Sequence, residues 1–363
     1  DQYTASYTRR WDDLSSRLTL GYVDQYDGWF ITPGTGATVA GGPGTGSKTV
    51  TTHHILDWQI EAPLGTRHIV TTGLFLRRGE AHNAERSLAD WRDRDSATAL
   101  TYEAQGRESI HAVFVQDRYD LTDTLTAYLG GRQDWWETSH GRADSVGAAG
   151  YPIRYPSRRD DHFSPKAALS YQHSPAARYR LAAGRSFRAP AVFELYRTWL
   201  SPLSGTTFQS NPALAPETAD SWEIGVDRRL PRDTRLAVTY FNNRMQDFIY
   251  RTVVSSTPPV QRFENAAEAH SRGVELSLNG RIGRLDWQAG YTYTDALIDR
   301  NPRVPSSEGK RITQIPRNVA SLGADWRRDR LRLGGTLRHA DARYNRDDNA
   351  DDVHGVPGAY DAY

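Results

Sequence analysis

Residues 285–295 read LDWQAGYTYTD, with Trp287, Ala289, Tyr291 and Tyr293 at one parity and Gln288, Gly290, Thr292 and Thr294 at the other. Period two is the period of a β-strand, whose successive side chains project to opposite faces. One face is aromatic and apolar, the other small and polar, so the strand separates two solvents. The pattern recurs. In TRLAVTYFNN (234–243), Leu236, Val238 and Tyr240 share a face; in SWEIGVDRRL (221–230), Trp222, Ile224 and Val226 oppose Glu223, Gly225 and Asp227. In RLRLGGTLRH (330–339), Leu331, Leu333 and Leu337 oppose Arg332, Thr336 and Arg338. No window of comparable length carries a 3.6-residue period.

The bulk composition fits strands that cross a membrane. The chain has 363 residues, 45 basic and 44 acidic, a net charge of +1 and no cysteine. That balance offers no field for nucleic acid, and it excludes disulfides, thiolate catalysis and cysteine-based zinc sites. No run of about 18 apolar residues occurs, so no transmembrane helix is written in the chain. Mean hydropathy is −0.68, yet there are 10 Trp and 19 Tyr. A transmembrane β-barrel reconciles the two: only alternate residues face lipid, and Trp and Tyr collect at the interfaces.

Connections alternate in length. Tight turns fall near 12–15, 63–66, 121–124, 174–177, 230–233, 282–284 and 327–330. Long polar or glycine-rich connections lie at about 28–48, 79–107, 137–162, 188–219, 251–263, 298–312 and 345–359. Short turns on one side and long loops on the other are the asymmetry of outer-membrane barrels. The count is about fourteen strands, with AYDAY (359–363) as the start of a fifteenth; soluble β folds use shorter strands. Within the first long connection, GGPGTGSKT (41–49) is close to a phosphate-binding loop. Ser47 separates Gly46 from Lys48, and the following residues read as a strand rather than a helix. The run is therefore expected to be a mobile outer loop.

Three segments go beyond a generic barrel: YRLAAGRSFRAPAVFELY (179–196), NPALAPETADSWEIGVD (211–227) and FENAAEAHSRGVELSLNG (263–280). With VFVQDRYDLTDTLTAYLGGRQDWW (113–136) and FSPKAALSYQHSP (163–175), in this order, they resemble the C-terminal barrel of TonB-dependent outer-membrane receptors. The resemblance covers nearly the whole chain. It implies an all-β, antiparallel transmembrane barrel, incomplete here at about 14–15 of roughly 22 strands. Residues 1–363 are then a partial barrel domain, expected to lack the N-terminal plug and strands at both ends. It implies no catalysis and no cofactor, but active uptake of a scarce nutrient across the outer membrane of a Gram-negative bacterium. The partners implied are a metal chelate such as a ferric siderophore, or cobalamin; the TonB–ExbB–ExbD complex, acting through the plug; outer-membrane lipid; and possible phage or bacteriocin. The competing readings are a passive porin and an outer-membrane hydrolase. No HExxH or GxSxG supports the hydrolase. An FRAP (187–190) and an NPAL (211–214) bracket resembles that of some haem receptors, but no His lies between its halves.

Aromatic surface beside arginine suits a flat anionic chelate. The candidate ligand contacts are Trp29, Trp91, Tyr155, Tyr196, Arg197, Trp199 and Phe208, in or beside the long connections. Ala191–Ser210 is expected to be one exposed capture loop. Arg188, Glu223, Arg332 and Arg338 are expected to face the lumen or plug, with Glu217 and Arg272 in a charge network at the rim. Trp135 and Trp136 read as interfacial girdle. Asp347, Asn349 and Asp351 begin like a calcium loop, but Asp352 stands where the glycine belongs and no Glu follows, so a solvated acidic loop is expected.

Overall fold

The computed structural model describes residues 1–201, 205–344, 349, 352–353 and 356–357. With almost no helix, the described residues form a separate two-stranded sheet, Asp352–Val353 with Val356–Pro357, and a 17-stranded sheet. Its fourteen long strands follow chain order: β1 (Gln2–Trp11), β2 (Leu14–Pro33), β3 (Gly44–Leu64), β4 (His68–Leu88), β5 (Ala97–Asp120), β6 (Leu125–Ser145), β7 (Arg158–Ser174), β8 (Ala177–Arg188), β9 (Glu217–Leu230), β10 (Thr234–Ser256), β11 (Pro259–Ile282), β12 (Leu285–Arg300), β13 (Asn318–Arg328) and β14 (Leu331–Ala340). Each pairs antiparallel with its neighbours in sequence. Among the described residues, β1 pairs only with β2 and β14 only with β13, so the sheet is open between them.

The register gives the sheet two unlike faces, because residues directly opposed in an antiparallel pair share a face. Leu18 opposes Trp58, Trp58 opposes Leu74 and Leu74 opposes Val113. Further along, Ile224, Tyr240, Val274 and Tyr293 follow one another across β9 to β12, and Ala289, Leu322 and Leu337 across β12 to β14. This continuous apolar face is the one suited to lipid, where an arginine would cost about 2–4 kcal/mol at the midplane. Trp11, Trp287 and Trp326 lie on it close to the short turns, the level of an aromatic girdle.

Glu223, Arg332 and Arg338 take the other parity, opposing Ala182, Arg327 and Ser321. That face carries ion pairs across strands, such as Arg180–Asp227 at 3.0 Å and Arg281–Asp286 at 2.6 Å. Exposed and screened by solvent as they are, these pairs add little to stability. Arg272 departs from the expected rim network. It opposes Asn242 and Asp295 on the apolar side, and its guanidinium meets Asp295 at 3.2 Å.

The short turns fall where the alternation puts them, but several long connections do not. β5 has 24 residues and β10 and β11 have 23 and 24, against the roughly 9–11 that cross a bilayer. The excess projects beyond the membrane on the long-connection side. The expected loop 251–263 is a hairpin turned at Thr257–Pro258, and much of 28–48, 79–107 and 137–162 is strand. Outside the bilayer both faces meet water, so alternation fades and strand reads as loop. The glycine run behaves the same way. Gly41 and Gly42 turn the chain at φ of 132° and 113°, while 44–49 belongs to β3.

A buried core lies in this projecting half. The helix α1 (Val192–Tyr196) folds against β4, β5 and β6. Val192, Leu195 and Tyr196 pack with Ala81, Ile110 and Trp136 from those strands and with Ile249 from β10. Strands far apart in the sheet thus meet around one helix, so the face carrying Ile110 and Trp136 is the inner one. Trp136 is 1% exposed within this core, whereas its neighbour Trp135 is 47% exposed on the outer side. Only Trp135 is placed as a girdle residue.

Candidate ligand-binding site

The segment between β8 and β9 is held by the residues that carried the resemblance. Arg188 forks to Glu217 at 2.6 Å and to Glu194 at 3.2 Å. Glu194 also accepts from the Ala191 amide at 2.7 Å, closing the start of α1, and Glu217 accepts from the Ile249 amide at 2.8 Å. Burial opposes the Arg188 charge, but these two carboxylates outweigh it and raise its pKa. Asn211 donates to the Phe263 carbonyl at 2.7 Å. Asn265 accepts from Ala215 N–H and donates to the carbonyls of Ala215 and Asp247, each at 2.8 Å. Arg158 donates to the carbonyls of Pro212 and Leu214. The FRAP, NPAL and FEN stretches are one hydrogen-bonded knot that pins the segment across the inner face.

Tyr196, expected in an exposed loop, is 1% exposed. Its ring lies on two glycines: a Cβ on Gly106 would fall 2.6 Å from it and one on Gly141 2.7 Å. Tyr155 stacks on it at 5.0 Å. The Tyr102 hydroxyl donates to the Tyr196 carbonyl at 3.3 Å and accepts from the Thr198 amide at 2.8 Å. Burial pushes the Tyr102 pKa to about 12, so it stays a neutral donor. Tyr155 and Tyr196 therefore form the support, not the surface.

That support presents a small chamber of about 190 Å³, lined by the aromatic rings of Phe193, Trp199, Phe208 and Phe263 and by the charged side chains of Glu194, Arg197, Arg251 and Arg262. Trp199 and Phe208 stack at 4.3 Å with 14° between planes, on short strands that pair with each other. Thr207–Gln209 also adds parallel to 260–262, the one parallel pairing among the described strands. Arg251 lies over Phe208 at 4.6 Å and Phe263 at 4.7 Å. It has no ion pair to a described residue, and desolvation lowers its pKa, opposed by the Glu194 carboxylate. Arg197 is instead committed: it reaches Glu85 at 3.2 Å and the Ser47 hydroxyl at 3.1 Å. Burial raises the Glu85 pKa more than Arg197 lowers it.

The structure thus gathers Arg197, Trp199 and Phe208 from the expected contacts. Trp29 and Trp91 sit apart. Trp29 donates to Asp27 at 2.7 Å beneath Lys48, and Trp91 donates to the Thr38 carbonyl at 3.0 Å, holding the glycine turn. Phe193, Arg251 and Phe263 were not singled out by the sequence reading. Arg251 and Phe263 oppose one another across the β10–β11 hairpin, a pairing visible only once 251–263 is read as strand. Asn349 bonds both backbone groups of Arg311, while Asp347 and Asp351 lie outside the described residues. Among the described residues no three His, Cys, Asp or Glu side chains gather as a metal site.

Comparison with known proteins agrees with this architecture. The family model for the TonB dependent receptor-like β-barrel matches residues 1–363. The iron-regulated outer membrane virulence protein of Vibrio cholerae is 23% identical over 241 residues, covering 63% of this chain and 33% of that protein. The heme/hemopexin utilization protein C of Haemophilus influenzae is 23% identical over 227 residues, covering 56% and 30%. Among solved structures, the unliganded ferric citrate transporter FecA superposes with a TM-score of 0.74 at 14% identity, over 98% of this chain and 51% of that one. The ferric yersiniabactin uptake receptor FyuA from Yersinia pestis gives 0.70 at 15%, over 96% and 50%. The chain spans about a third of the length of these curated relatives and about half of these solved chains. It belongs to the TonB-dependent receptor-like β-barrel family, a family of transport receptors in the outer membrane of Gram-negative bacteria.

Proposed function

We propose that this chain is barrel from a TonB-energised receptor that captures an anionic iron chelate, of the ferric siderophore class, at the Trp199–Phe208–Arg251 chamber. The observation that carries the reading is Arg251. A guanidinium between two aromatic rings, without a carboxylate partner among the described residues, is a ready anion receptor. The stacked pair beside it offers a flat face for a ligand ring or chelate plane. Iron-linked names among the relatives support the same class. Cobalamin has less in its favour, since Arg251, the chamber arginine without an ion pair to a described residue, suits an anion. Neither a passive channel nor a hydrolase finds support in the family assignment. The energy-coupling complex would act through parts of the receptor outside these residues. A neighbour of similar fold solved with a pyocin makes bacteriocin binding a parallel proposal for the outer surface.

The test uses the complete receptor. Tryptophan quenching would be titrated with anionic ferric catecholate and hydroxycarboxylate chelates and with cyanocobalamin, alongside labelled-iron uptake with and without TonB. Binding of an anionic chelate that weakens in Arg251→Gln, with TonB-dependent uptake, supports the reading. Cobalamin binding alone, or uptake indifferent to TonB, overturns it.

A further inference from the structure

The two halves of the chamber are carried by different parts of the sheet. Arg251 and Phe263 belong to β10 and β11, whereas Trp199 and Phe208 stand on strands of two and three residues between β8 and β9. A hairpin that small is marginal by itself. Its base is closed by Thr198 and Ser210: their hydroxyls lie 3.1 Å apart, and the Ser210 amide donates to Thr198 Oγ1 at 3.1 Å. The backbone of Thr198 is in turn fixed from β5. Its amide donates to the Tyr102 hydroxyl at 2.8 Å, and that hydroxyl donates to the Tyr196 carbonyl at 3.3 Å. One phenol oxygen therefore joins the last residue of α1 to the residue before Trp199, across 94 and 96 residues of chain. The Tyr102 ring is itself packed with Ala104, Ala143, Tyr151 and Tyr155, and it does not line the chamber.

We infer that Tyr102 is a positioning residue for ligand capture, whose hydroxyl holds the Trp199–Phe208 stack in register with Arg251 and Phe263. The inference rests on the chamber being the capture site. Removing the hydroxyl leaves a buried amide and a buried carbonyl without their partner, which releases the base of the hairpin. Arg197 stays anchored to Glu85 and Ser47, and Thr207–Gln209 stays paired with 260–262, so the segment keeps its place while the stack loosens. A stack that samples several orientations must be ordered when the chelate binds. That cost appears as weaker affinity although no contact to the ligand is lost.

The complete receptor would be labelled with fluorotryptophan, the Trp199 fluorine resonance being identified by its loss in Trp199→Phe. Tyr102→Phe keeps the ring and removes only the hydroxyl. Without ligand, the Trp199 line should shift and broaden in this variant. Affinity would be measured with whichever of the ferric complexes of dihydroxybenzoate and citrate binds wild type more tightly, and Tyr102→Phe should lower it by about tenfold. In a Trp199→Ala background Tyr102→Phe should cost no further affinity, because the hydroxyl acts through the stack. Tyr151→Phe removes a phenol from the same cluster with no bond to Thr198, and it should change neither readout. Heat-modifiable gel mobility establishes folding, and Thr198→Val, which removes the bonds to Ser210, serves if Tyr102→Phe does not fold. A Trp199 line unaltered in the folded variant, or an equal loss of affinity with and without Trp199, would overturn the assignment. Unchanged binding in Trp199→Ala would instead overturn the chamber as capture site, and with it the role of Tyr102 in capture, whatever the fluorine line shows.

Discussion

Gly106 and Tyr196 should be energetically coupled, and a double-mutant cycle measures it. Adding a methyl in Gly106→Ala places a carbon 2.6 Å from the Tyr196 ring and 2.9 Å from Val192. Neither neighbour has room to move, since Tyr196 and Val192 are 1% and 9% exposed. Overpacking of this kind costs about 1–3 kcal/mol. Removing the ring in Tyr196→Ala costs about 3–5 kcal/mol, by analogy with other buried aromatics. With the ring gone the added methyl has space, so Gly106→Ala should cost little in that background. The expected coupling is about 1–3 kcal/mol. The assay is hydrogen exchange at the Leu195 and Arg197 amides, which donate to Ala191 and Phe193 carbonyls at 3.1 Å. Gel mobility reports that the barrel stays folded. An equal cost of Gly106→Ala in both backgrounds would refute the claim that this glycine exists to seat Tyr196.

Arg251→Gln should weaken an anionic chelate about tenfold and leave folding unchanged, measured by ligand titration and thermal melting. Asn265→Ala orphans Ala215 N–H and two carbonyls, each costing about 1–3 kcal/mol where buried, so exchange across 211–217 should quicken while β10–β11 stays protected. Glu85 supplies a pH test. Its folded pKa lies above its unfolded one, so its contribution is fully present below the ordinary glutamate range and is lost as pH rises through the raised value. The segment holding Arg197 should therefore be better protected near pH 4 than at pH 7. Glu85→Gln should flatten that difference, and a profile unaltered by the substitution contradicts the assignment.

How much of this was legible depended on where each residue meets lipid. In the membrane-spanning parts one face must be apolar and the other can be wet, so Trp287, Tyr291 and Leu333 announced both strand and register. The seven short turns followed from the same pattern. Above the membrane that contrast disappears, and Thr45–Thr49 or Arg251–Phe263 look like loop although their backbones are paired. The site suffered most from this. Trp199 and Phe208 stood out as aromatics in a long connection, but Arg251 and Phe263 reach the chamber only through the register of the β10–β11 hairpin. Tyr196 misled because its burial depends on Gly106 and Gly141, some 90 and 55 residues away in strands whose tops were read as loop. The FRAP, NPAL and FEN stretches were recognisable as a set, while their bonds to one another required coordinates.

The central claim is that one sheet face meets lipid and the other water, and site-directed spin labelling reads it directly. Nitroxides would be placed singly at Leu181, Ile224, Val238 and Leu333, and at their sequence neighbours Ala182, Glu223, Thr239 and Arg332, in the complete receptor reconstituted in bilayers. The account predicts high oxygen and low nickel-chelate accessibility for the first set and the reverse for the second, alternating residue by residue. Water-accessible labels at the leucine, isoleucine and valine positions, with lipid-accessible labels at the others, would contradict it.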